Sequence, residues 1–323
     1  MNRRALVTGC NGQSASYMCE LLLEKGYDVY GLVRRQSNEQ FINIEHLFDK
    51  ITLIHGDLTD SSSLIEALEI SRPDDIYNYA AQSHVHESWK QPILTAEINA
   101  IGALRLLEAV RKYNDKIRIV QASSSEMFGK VLEVPQTEKT PFNPVSPYAC
   151  SKVFAYDMMR TYRFSYNMFA ANAISFNHES ARRGVEFVTR KISLGVARIK
   201  LGLAHRIILG NLDAKRDWSH AKDIVRGMYA ILQHTEADDF VLCSGETHSI
   251  REFLTESFKV IGIDDWTPYV ETDAQFIRPA EVNLLLGDHS KATNLLGWRP
   301  VITFQSLVQE MVENDIKLLS SST

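Results

Sequence analysis

The sequence predicts an α/β protein built on a doubly wound parallel sheet, and three observations support that fold class. Short runs rich in Val, Ile and Leu alternate with helical stretches through the first half of the chain. These runs lack in-and-out alternation, as strands buried on both faces of a sheet do. A glycine turn joins the first run to the first helix, which is typical of a Rossmann-type fold.

The elements follow in a regular order along the chain. We predict strands over 5–8, 29–33, 51–54, 75–79, 117–121 and 169–174. The helices between them are predicted over 17–25, 62–69 and 94–113. Ser146-Pro147 opens a further helix that runs to about residue 165, since Ser suits the N-cap and Pro the first helical position. This alternation predicts right-handed βαβ units.

After residue 176 the pattern loosens, and charged loops separate helices predicted over 187–203, 221–232, 250–261 and 304–318. We predict a Rossmann-type domain over 1–175 with a returning segment near 211–235. A smaller, interleaved C-terminal α/β substrate lobe then comprises 176–210 and 236–323. A chain of 323 residues exceeds the roughly 100–200 residues of one average domain.

Composition narrows the class of protein. Hydrophobic residues make up 45% and charged residues 23%, and the net charge is −5. These values are ordinary for a globular enzyme and predict neither a nucleic-acid nor a membrane partner. The four cysteines form no CxxC pair, which predicts buried, reduced thiols without a metal site. The N-terminal apolar run is too short for a signal peptide, so we expect a cytoplasmic protein.

The first turn carries Gly9, Gly12 and Ala15 at a G-x-x-G-x-x-A spacing. A pyrophosphate site needs a tight turn, a close backbone approach and a helix N-terminus facing the negative charge. Two glycines alone are equally typical of a plain turn. Their place after the first strand of a βαβ unit favours a dinucleotide site.

The end of the second predicted strand indicates which dinucleotide binds. Arg34 and Arg35 stand there, where an NAD site usually has an acidic residue and a basic residue suits a 2′-phosphate. NADP is therefore predicted, with a solvated basic face as the alternative. Asp57 and Leu58 follow the third strand and suit an adenine contact, although Asp57 could equally cap its own turn.

Tyr148 and Lys152 form a Y-x-x-x-K pair on one predicted helix. Positions i and i+4 share a helix face, so both side chains can reach one point. We expect the ammonium and a cationic nicotinamide ring to lower the pKa of the phenol. Tyr148 could then take the proton of a substrate alcohol while hydride leaves for the cofactor.

Ser124 and Glu126 lie where the fifth predicted strand ends, the edge at which open parallel sheets bind ligands. Ser124 could hydrogen-bond the reacting hydroxyl. Glu126 favours a dehydratase, because water loss needs a base for the carbon beside a new ketone and simple alcohol oxidation does not. A salt bridge in a polar loop is the alternative role for Glu126.

Taken together, these residues resemble the GDP-mannose 4,6-dehydratase family of extended short-chain dehydrogenases, over nearly the whole length. The resembling motifs are Arg34-Arg35, Gly-Asp-Leu-Thr-Asp at 56–60, Ala-Gln-Ser-His-Val at 81–85, Ser-Ser-Glu at 124–126, Ser-Pro-Tyr at 146–148, Phe-Asn-His-Glu-Ser at 176–180, Arg-Arg-Gly at 182–184, Phe-Val-Thr-Arg-Lys at 187–191, Gly-Asn-Leu-Asp-Ala-Lys-Arg-Asp-Trp at 210–218 and Arg-Pro-Ala-Glu at 278–281.

The resemblance implies a lyase that recycles a tightly bound NADP. Tyr148 would deprotonate the C4 hydroxyl, and Ser124 would polarise that oxygen. Glu126 would remove the C5 proton as water leaves C6, giving a GDP-4-keto-6-deoxy sugar for deoxysugar biosynthesis. Lys152 would hold the nicotinamide ribose and lower the pKa of Tyr148.

The resemblance also implies the binding residues and the assembly. Cofactor contacts are expected at Gly9, Gly12, Gln13, Ser14, Arg34, Arg35, Asp57, Leu58, Ala81, Ser83, Tyr148, Lys152, His178 and Arg183. Substrate contacts are expected at Asn177, Val188, Lys191, Gly210, Arg216, Arg278 and Glu281. A homotetramer is implied, with a dimer as the alternative. In the tetramer, segment 34–43 and Arg182 would contact a neighbouring subunit's cofactor site.

Five positions depart from the family pattern. Ser124 replaces a Thr and keeps the hydroxyl. Ser14 and Ala15 replace an Asp and a Gly, which predicts looser cofactor binding. Val145 replaces an Arg and Ala181 a Pro, and both are expected to border the sugar. GDP-manno-heptose therefore stays open beside GDP-mannose. Two further hypotheses stay open as well, namely a C4 dehydrogenase or epimerase and a catalytically silent dinucleotide-binding protein.

Overall fold

The computed structural model describes residues 2–37, 41–273 and 284–321. Its strands are β1 Arg4–Thr8, β2 Asp28–Val33, β3 Thr52–His55, β4 Asp75–Asn78, β5 Arg118–Ser124, β6 Ala170–Ser175, β7 Asn177–Glu179, β8 Ile207–Leu209, β9 Lys215–Arg216, β10 Trp218–His220, β11 Asp239–Leu242, β12 His248–Ser249 and β13 Val270–Thr272. Its helices are α1 Gln13–Glu24, α2 Ser61–Ser71, α3 Val85–Lys90, α4 Pro92–Ala96, α5 Gly102–Tyr113, α6 Pro147–Tyr166, α7 Val188–Lys200, α8 Ala221–Gln233, α9 Ile250–Val260, α10 Ser290–Leu296 and α11 Phe304–Ser320.

Seven strands form one parallel sheet in the order β11-β6-β5-β4-β1-β2-β3. The order reverses beside β1, as in a doubly wound fold, so the predicted fold class is confirmed. All six predicted strands lie in this sheet. The seventh, β11, was missed because its three apolar residues follow two aspartates and give too short a run.

Helices cover both faces of the sheet. One apolar cluster joins α1 and α8 to one face, and a second joins α2, α5 and α6 to the other. A third cluster, away from the sheet, packs α7, α9 and α11 around Phe253 and Met311, which are fully buried. The predicted residue limits of the two lobes stay a prediction.

The predicted helix 94–113 is interrupted in the structure. Five residues, Glu97–Ile101, form a π-helical turn between α4 and α5. The buried Asn99 in this turn accepts from Gln82 N at 2.8 Å and donates to Gln82 O at 2.9 Å. It also donates to Ser151 Oγ on α6 at 3.2 Å. The π turn thus ties the loop after β4 to α6.

Cys10, Cys19 and Cys243 are buried and unpaired, whereas Cys150 is exposed. The prediction of burial is therefore wrong for Cys150. That residue lies two positions from both Tyr148 and Lys152, which places it on the opposite side of α6. No helix in the described ranges is both long and apolar enough to cross a bilayer.

Candidate active site

A continuous cleft runs along the carboxyl ends of the parallel strands, where doubly wound folds bind ligands. Its middle cavity has a volume of about 330 Å³. A second cavity of about 490 Å³ shares Glu126, Asn177 and Arg183 with it. A third, of about 350 Å³, shares Gly9 and Ala81. Because the three cavities adjoin one another, the cleft has room for two extended ligands that meet end to end.

The turn after β1 lies against the middle cavity. Gly9 has φ +64° and donates its N–H to Leu32 O at 2.9 Å. A Cβ at this position would lie 3.1 Å from the Cα of Ala80, so both conformation and space favour glycine. Gly12 is the N-cap residue of α1, and no side chain of the cap accepts a hydrogen bond from the N–H groups of the first turn. The N-terminus of α1 is thus available to an anion.

Gln13 connects this turn to the loop after β6. Its Nε2 donates to His178 O at 3.0 Å, and its Oε1 accepts from Ser180 Oγ at 2.9 Å. Ser14 and Ser83 also line the middle cavity. Two distant stretches of the chain thereby share one wall of the cleft.

The two arginines after β2 differ in position. Both are exposed, but Arg34 lines the third cavity with Asp57 and Leu58, whereas Arg35 is not among the described residues that line it. Asp57 Oδ1 accepts from both the N–H and the hydroxyl of Thr59, at 2.8 Å each. Asp57 could contact the adenine or cap its own turn, and this oxygen caps the turn.

Tyr148 and Lys152 lie on one face of α6, and both are buried. Lys152 Nζ donates to Ala122 O at 2.9 Å and lies 5.8 Å from the centre of the Tyr148 ring. Burial lowers the pKa of Lys152 to about 8. Burial disfavours the charged form of any group, so it lowers the pKa of a lysine and raises the pKa of a tyrosine. Both the ammonium of Lys152 and a phenolate at Tyr148 are therefore destabilised by their burial.

The predicted lowering of the Tyr148 pKa by the Lys152 ammonium is not found in this structure. Burial raises that pKa to about 12, and the Glu126 carboxylate adds to the rise. A hydrogen bond with Ser124 and the charge of Arg183 act in the opposite direction but are outweighed. The Lys152 ammonium contacts a carbonyl and lies over the ring, so it does not offset the desolvation of the phenolate.

Ser124 and Glu126 come from the end of β5. Ser124 Oγ accepts from Glu126 N at 3.2 Å and so caps the short 3₁₀ helix Ser125–Phe128. Glu126 is 9% exposed and lines both the middle and second cavities. The structure therefore brings Ser124, Glu126, Tyr148 and Lys152 around one cavity.

His178 and Arg183 form another part of this wall. His178 Nδ1 donates to Phe176 O at 2.8 Å, and burial together with the charge of Arg183 lowers the His178 pKa to about 4. The imidazole is therefore neutral near pH 7. Arg183 Nε lies 3.0 Å from Glu179 Oε2, and its guanidinium carbon lies 3.4 Å from the centre of the Phe187 ring.

The second cavity is lined by the predicted substrate residues Asn177, Val188, Lys191, Gly210 and Arg216. Arg278 and Glu281, also predicted to bind substrate, lie outside the described residues. His84, His86, Phe187 and Trp218 line the cavity as well and were not predicted. For His84, Phe187 and Trp218 the available signal was their place within the resembling motifs.

Val145 and Ala181, expected to border the sugar, do not line the three cavities in the described ranges. Val145 packs against an apolar cluster that contains Phe128 and Phe176. The carbonyl of Ala181 accepts a hydrogen bond from Arg190. These two replacements therefore act away from the cavity walls.

Comparisons with known proteins identify the family that this chain matches. A family model described as "GDP-mannose 4,6 dehydratase" matches residues 6–311. A protein of that name from Cricetulus griseus is 45% identical, over 98% of this chain and 92% of its own. "GDP-mannose 4,6 dehydratase 1" from Arabidopsis thaliana is 48% identical, over 97% and 90%.

Solved structures share the fold. A dTDP-glucose 4,6-dehydratase from Streptomyces venezuelae, with NAD bound, is 25% identical with a TM-score of 0.87 and 98% coverage of both chains. A UDP-glucose 4-epimerase from Thermus thermophilus, also with NAD, is 27% identical with a TM-score of 0.84 and covers 97% of this chain and 98% of its own.

Proposed function

The chain belongs to the GDP-mannose 4,6-dehydratase family, and from this premise we propose that it removes water from a GDP-sugar, GDP-mannose first among them. The product is a GDP-4-keto-6-deoxy sugar. One observation carries the proposal: Glu126, a carboxylate that alcohol oxidation does not require, lines the two cavities at their junction, beside Ser124 and Tyr148.

The middle and third cavities fit a nicotinamide dinucleotide. The open N-terminus of α1 and the close approach at Gly9 suit its pyrophosphate, and Arg34 suits a 2′-phosphate. We therefore propose NADP, retained through turnover. Such a group supplies the acceptor and later the donor of a hydride, so that the reaction has no net redox change.

The chain's own residues then divide the proton transfers. Tyr148 accepts the C4 hydroxyl proton as its phenolate, which Ser124 and Arg183 favour and which the positive charge of a bound nicotinamide ring would favour further. Glu126 takes the proton from C5, made acidic by the neighbouring ketone, while the C6 hydroxyl leaves as water. Lys152 contributes a buried cation beside the tyrosine ring.

The second cavity suits the nucleoside diphosphate. Lys191 and Arg216 supply cations for the pyrophosphate. Asn177 Oδ1 is buried without a hydrogen-bond partner in the described ranges, so it can accept from a ligand donor. The roles predicted for Arg278 and Glu281 remain part of the proposal, as do a homotetramer, with a dimer as the alternative, and a cytoplasmic location.

The test is incubation of the purified protein with GDP-mannose, without added cofactor, followed by mass spectrometry. We expect the loss of one water. Glu126→Gln should slow that loss by about 10²- to 10⁴-fold. Glu138→Gln is the matched control, because Glu138 is a partly buried carboxylate that accepts from Val241 N at 2.8 Å, outside the three cavities.

Two results would overturn the proposal. A product lacking two hydrogens would indicate net oxidation, and one of unchanged mass with altered stereochemistry would indicate epimerisation. A rate comparison between GDP-mannose and GDP-manno-heptose then identifies the preferred sugar. Sedimentation of the purified protein distinguishes a tetramer from a dimer.

A further inference from the structure

Residues 177–183, which we call the bridging segment, pass from the middle cavity to the second. At one end the segment is held by α1. Gln13 bonds to His178 and Ser180, and Arg182 donates to Ser16 Oγ at 3.0 Å. Arg182 also pairs with Glu20 at 2.5 Å. These contacts hold the segment against the dinucleotide turn.

The other side of the segment is held by one buried ion pair. Arg190, on α7, is 7% exposed, and its Nη2 lies 2.6 Å from Asp315 Oδ1 on α11. Asp315 is fully buried, and its second oxygen accepts from Ser193 Oγ at 2.6 Å. The pair joins the helix that begins beside the second cavity to the last helix of the chain.

The same guanidinium also reaches the bridging segment. Arg190 Nη1 donates to the carbonyl of Ala181 and, at 3.3 Å, to the carbonyl of Arg183. These carbonyls flank Arg182, whose side chain is tied to α1. The backbone that carries Arg183 is therefore fixed from two directions.

Arg183 occupies a demanding position. Its side chain lines both the middle and second cavities, pairs with Glu179 and packs on Phe187. A shift of its backbone by a fraction of an ångström would move the guanidinium relative to both ligands. Sites of this kind depend on the residues that hold their side chains in place.

We infer that Arg190 and Asp315 are a positioning pair, which fixes the backbone of the bridging segment and so places the Arg183 guanidinium where dinucleotide and sugar meet. The inference rests on the proposed function in one respect, namely that Arg183 contacts the dinucleotide. Neither residue of the pair lines the three cavities in the described ranges, so the pair acts through Arg183.

Fold stability alone is a poor reason for such a pair. Apolar residues of similar volume often replace a buried ion pair with no loss of stability. They cannot replace the N–H groups that Arg190 directs at the carbonyls of Ala181 and Arg183. That difference separates a positioning role from a structural one.

The experiment therefore replaces both partners, as Arg190→Met with Asp315→Leu, and titrates the protein with NADPH and with NADH. Cooperative urea unfolding checks that the variant is folded. We expect the tighter-binding dinucleotide to bind about tenfold more weakly. Because titration requires no turnover, the result is independent of whether GDP-mannose is the substrate.

Two further variants make the test specific. In an Arg183→Ala background, the paired replacement should change the dinucleotide Kd less than about twofold, since its effect passes through Arg183. Asp223→Asn is the control, because Asp223 is a buried carboxylate that accepts from Val301 N and Ile302 N outside the cavities.

The outcomes separate the two proposals. Unchanged binding in the folded paired variant overturns the positioning role, and so does a full tenfold effect in the Arg183→Ala background. An equal loss in Asp223→Asn would show that general destabilisation is sufficient, which also overturns it. Failure of the wild-type protein to bind either dinucleotide overturns the proposed function and the inference together. Dinucleotide binding without dehydration overturns the reaction alone.

If the paired variant fails to fold, Arg190→Lys replaces it. Lysine keeps the charge, but its single nitrogen cannot take the place of both Nη1, which donates to the two carbonyls, and Nη2, which pairs with Asp315. Weaker dinucleotide binding in a folded Arg190→Lys protein supports the inference, and wild-type binding contradicts it.

Discussion

Replacement of Lys152 by Met should stabilise the protein while it removes activity. The ammonium is buried, and its pKa is lowered from 10.5 to about 8. At about 1.36 kcal/mol per pH unit, this lowering corresponds to about 3 kcal/mol of destabilisation at neutral pH. Loss of the hydrogen bond to Ala122 O costs about 1 kcal/mol, so a net gain of about 2 kcal/mol is expected.

The pH dependence of this gain follows from the direction of the pKa change. The folded-state pKa of Lys152 lies below that of the unfolded chain, so between about pH 8 and about pH 10.5 the unfolded chain binds more protons and wild-type stability rises with pH. Below this window the cost is fully present. The advantage of Lys152→Met should therefore shrink as pH increases above about 8.

The assay is urea unfolding of both proteins at neutral pH and at about pH 9.5, compared as a difference so that other titrating groups cancel. Lys112→Met is the control, because that side chain is 72% exposed, and its change should stay within about 0.5 kcal/mol. A variant less stable than wild type at neutral pH, or a difference that does not vary with pH, would refute the reasoning.

Four further substitutions test the cleft. Gly9→Ala should destabilise the protein by about 1–3 kcal/mol and weaken NADPH binding, because φ is +64° and a Cβ would lie 3.1 Å from the Cα of Ala80. Thermal unfolding measures the loss of stability, and titration with NADPH measures the loss of binding. Unchanged values would contradict the role of the turn. Arg34→Ala should raise the NADPH Kd about tenfold and the NADH Kd much less. Arg35→Ala should raise the NADPH Kd less than Arg34→Ala does, and an equal rise in the two variants would contradict the geometry. Tyr148→Phe should abolish turnover and retain NADPH binding. Turnover by this variant at the wild-type rate would show that the mechanism does not use the phenol.

Much of the fold could be predicted because its signals are local. The six strands with continuous apolar runs were identified within a few residues, and the Ser146-Pro147 signal placed the start of α6 at Pro147. Strand β11 was missed because a four-residue strand that begins with an aspartate has almost no local pattern. The π turn Glu97–Ile101 was missed because its hydrogen bonds depend on Gln82 and Ser151, which are remote in sequence.

The candidate site divides in the same way. Local spacing was enough to predict the Gly9–Gly12 turn and the Tyr148–Lys152 pair, because a turn and a helix have set geometries. The resemblance supplied the predicted binding residues that lie in separate motifs. The spacing of Tyr148 and Lys152 did not predict how burial raises the Tyr148 pKa, since that burial comes from segments that the helix sequence does not contain.

What the sequence determined by itself was the parallel α/β fold, the glycine turn after β1 and the placing of Tyr148 and Lys152 on one helix face, all of which follow from residue type and short-range spacing. Only the tertiary structure decided that Arg34 rather than Arg35 lines the cleft, that Asp57 caps its own turn, and that Arg190 and Asp315 hold the segment that bears Arg183. The physical reason is that burial, and the hydrogen bonds and pKa values that depend on it, arise from groups brought together only when the chain folds.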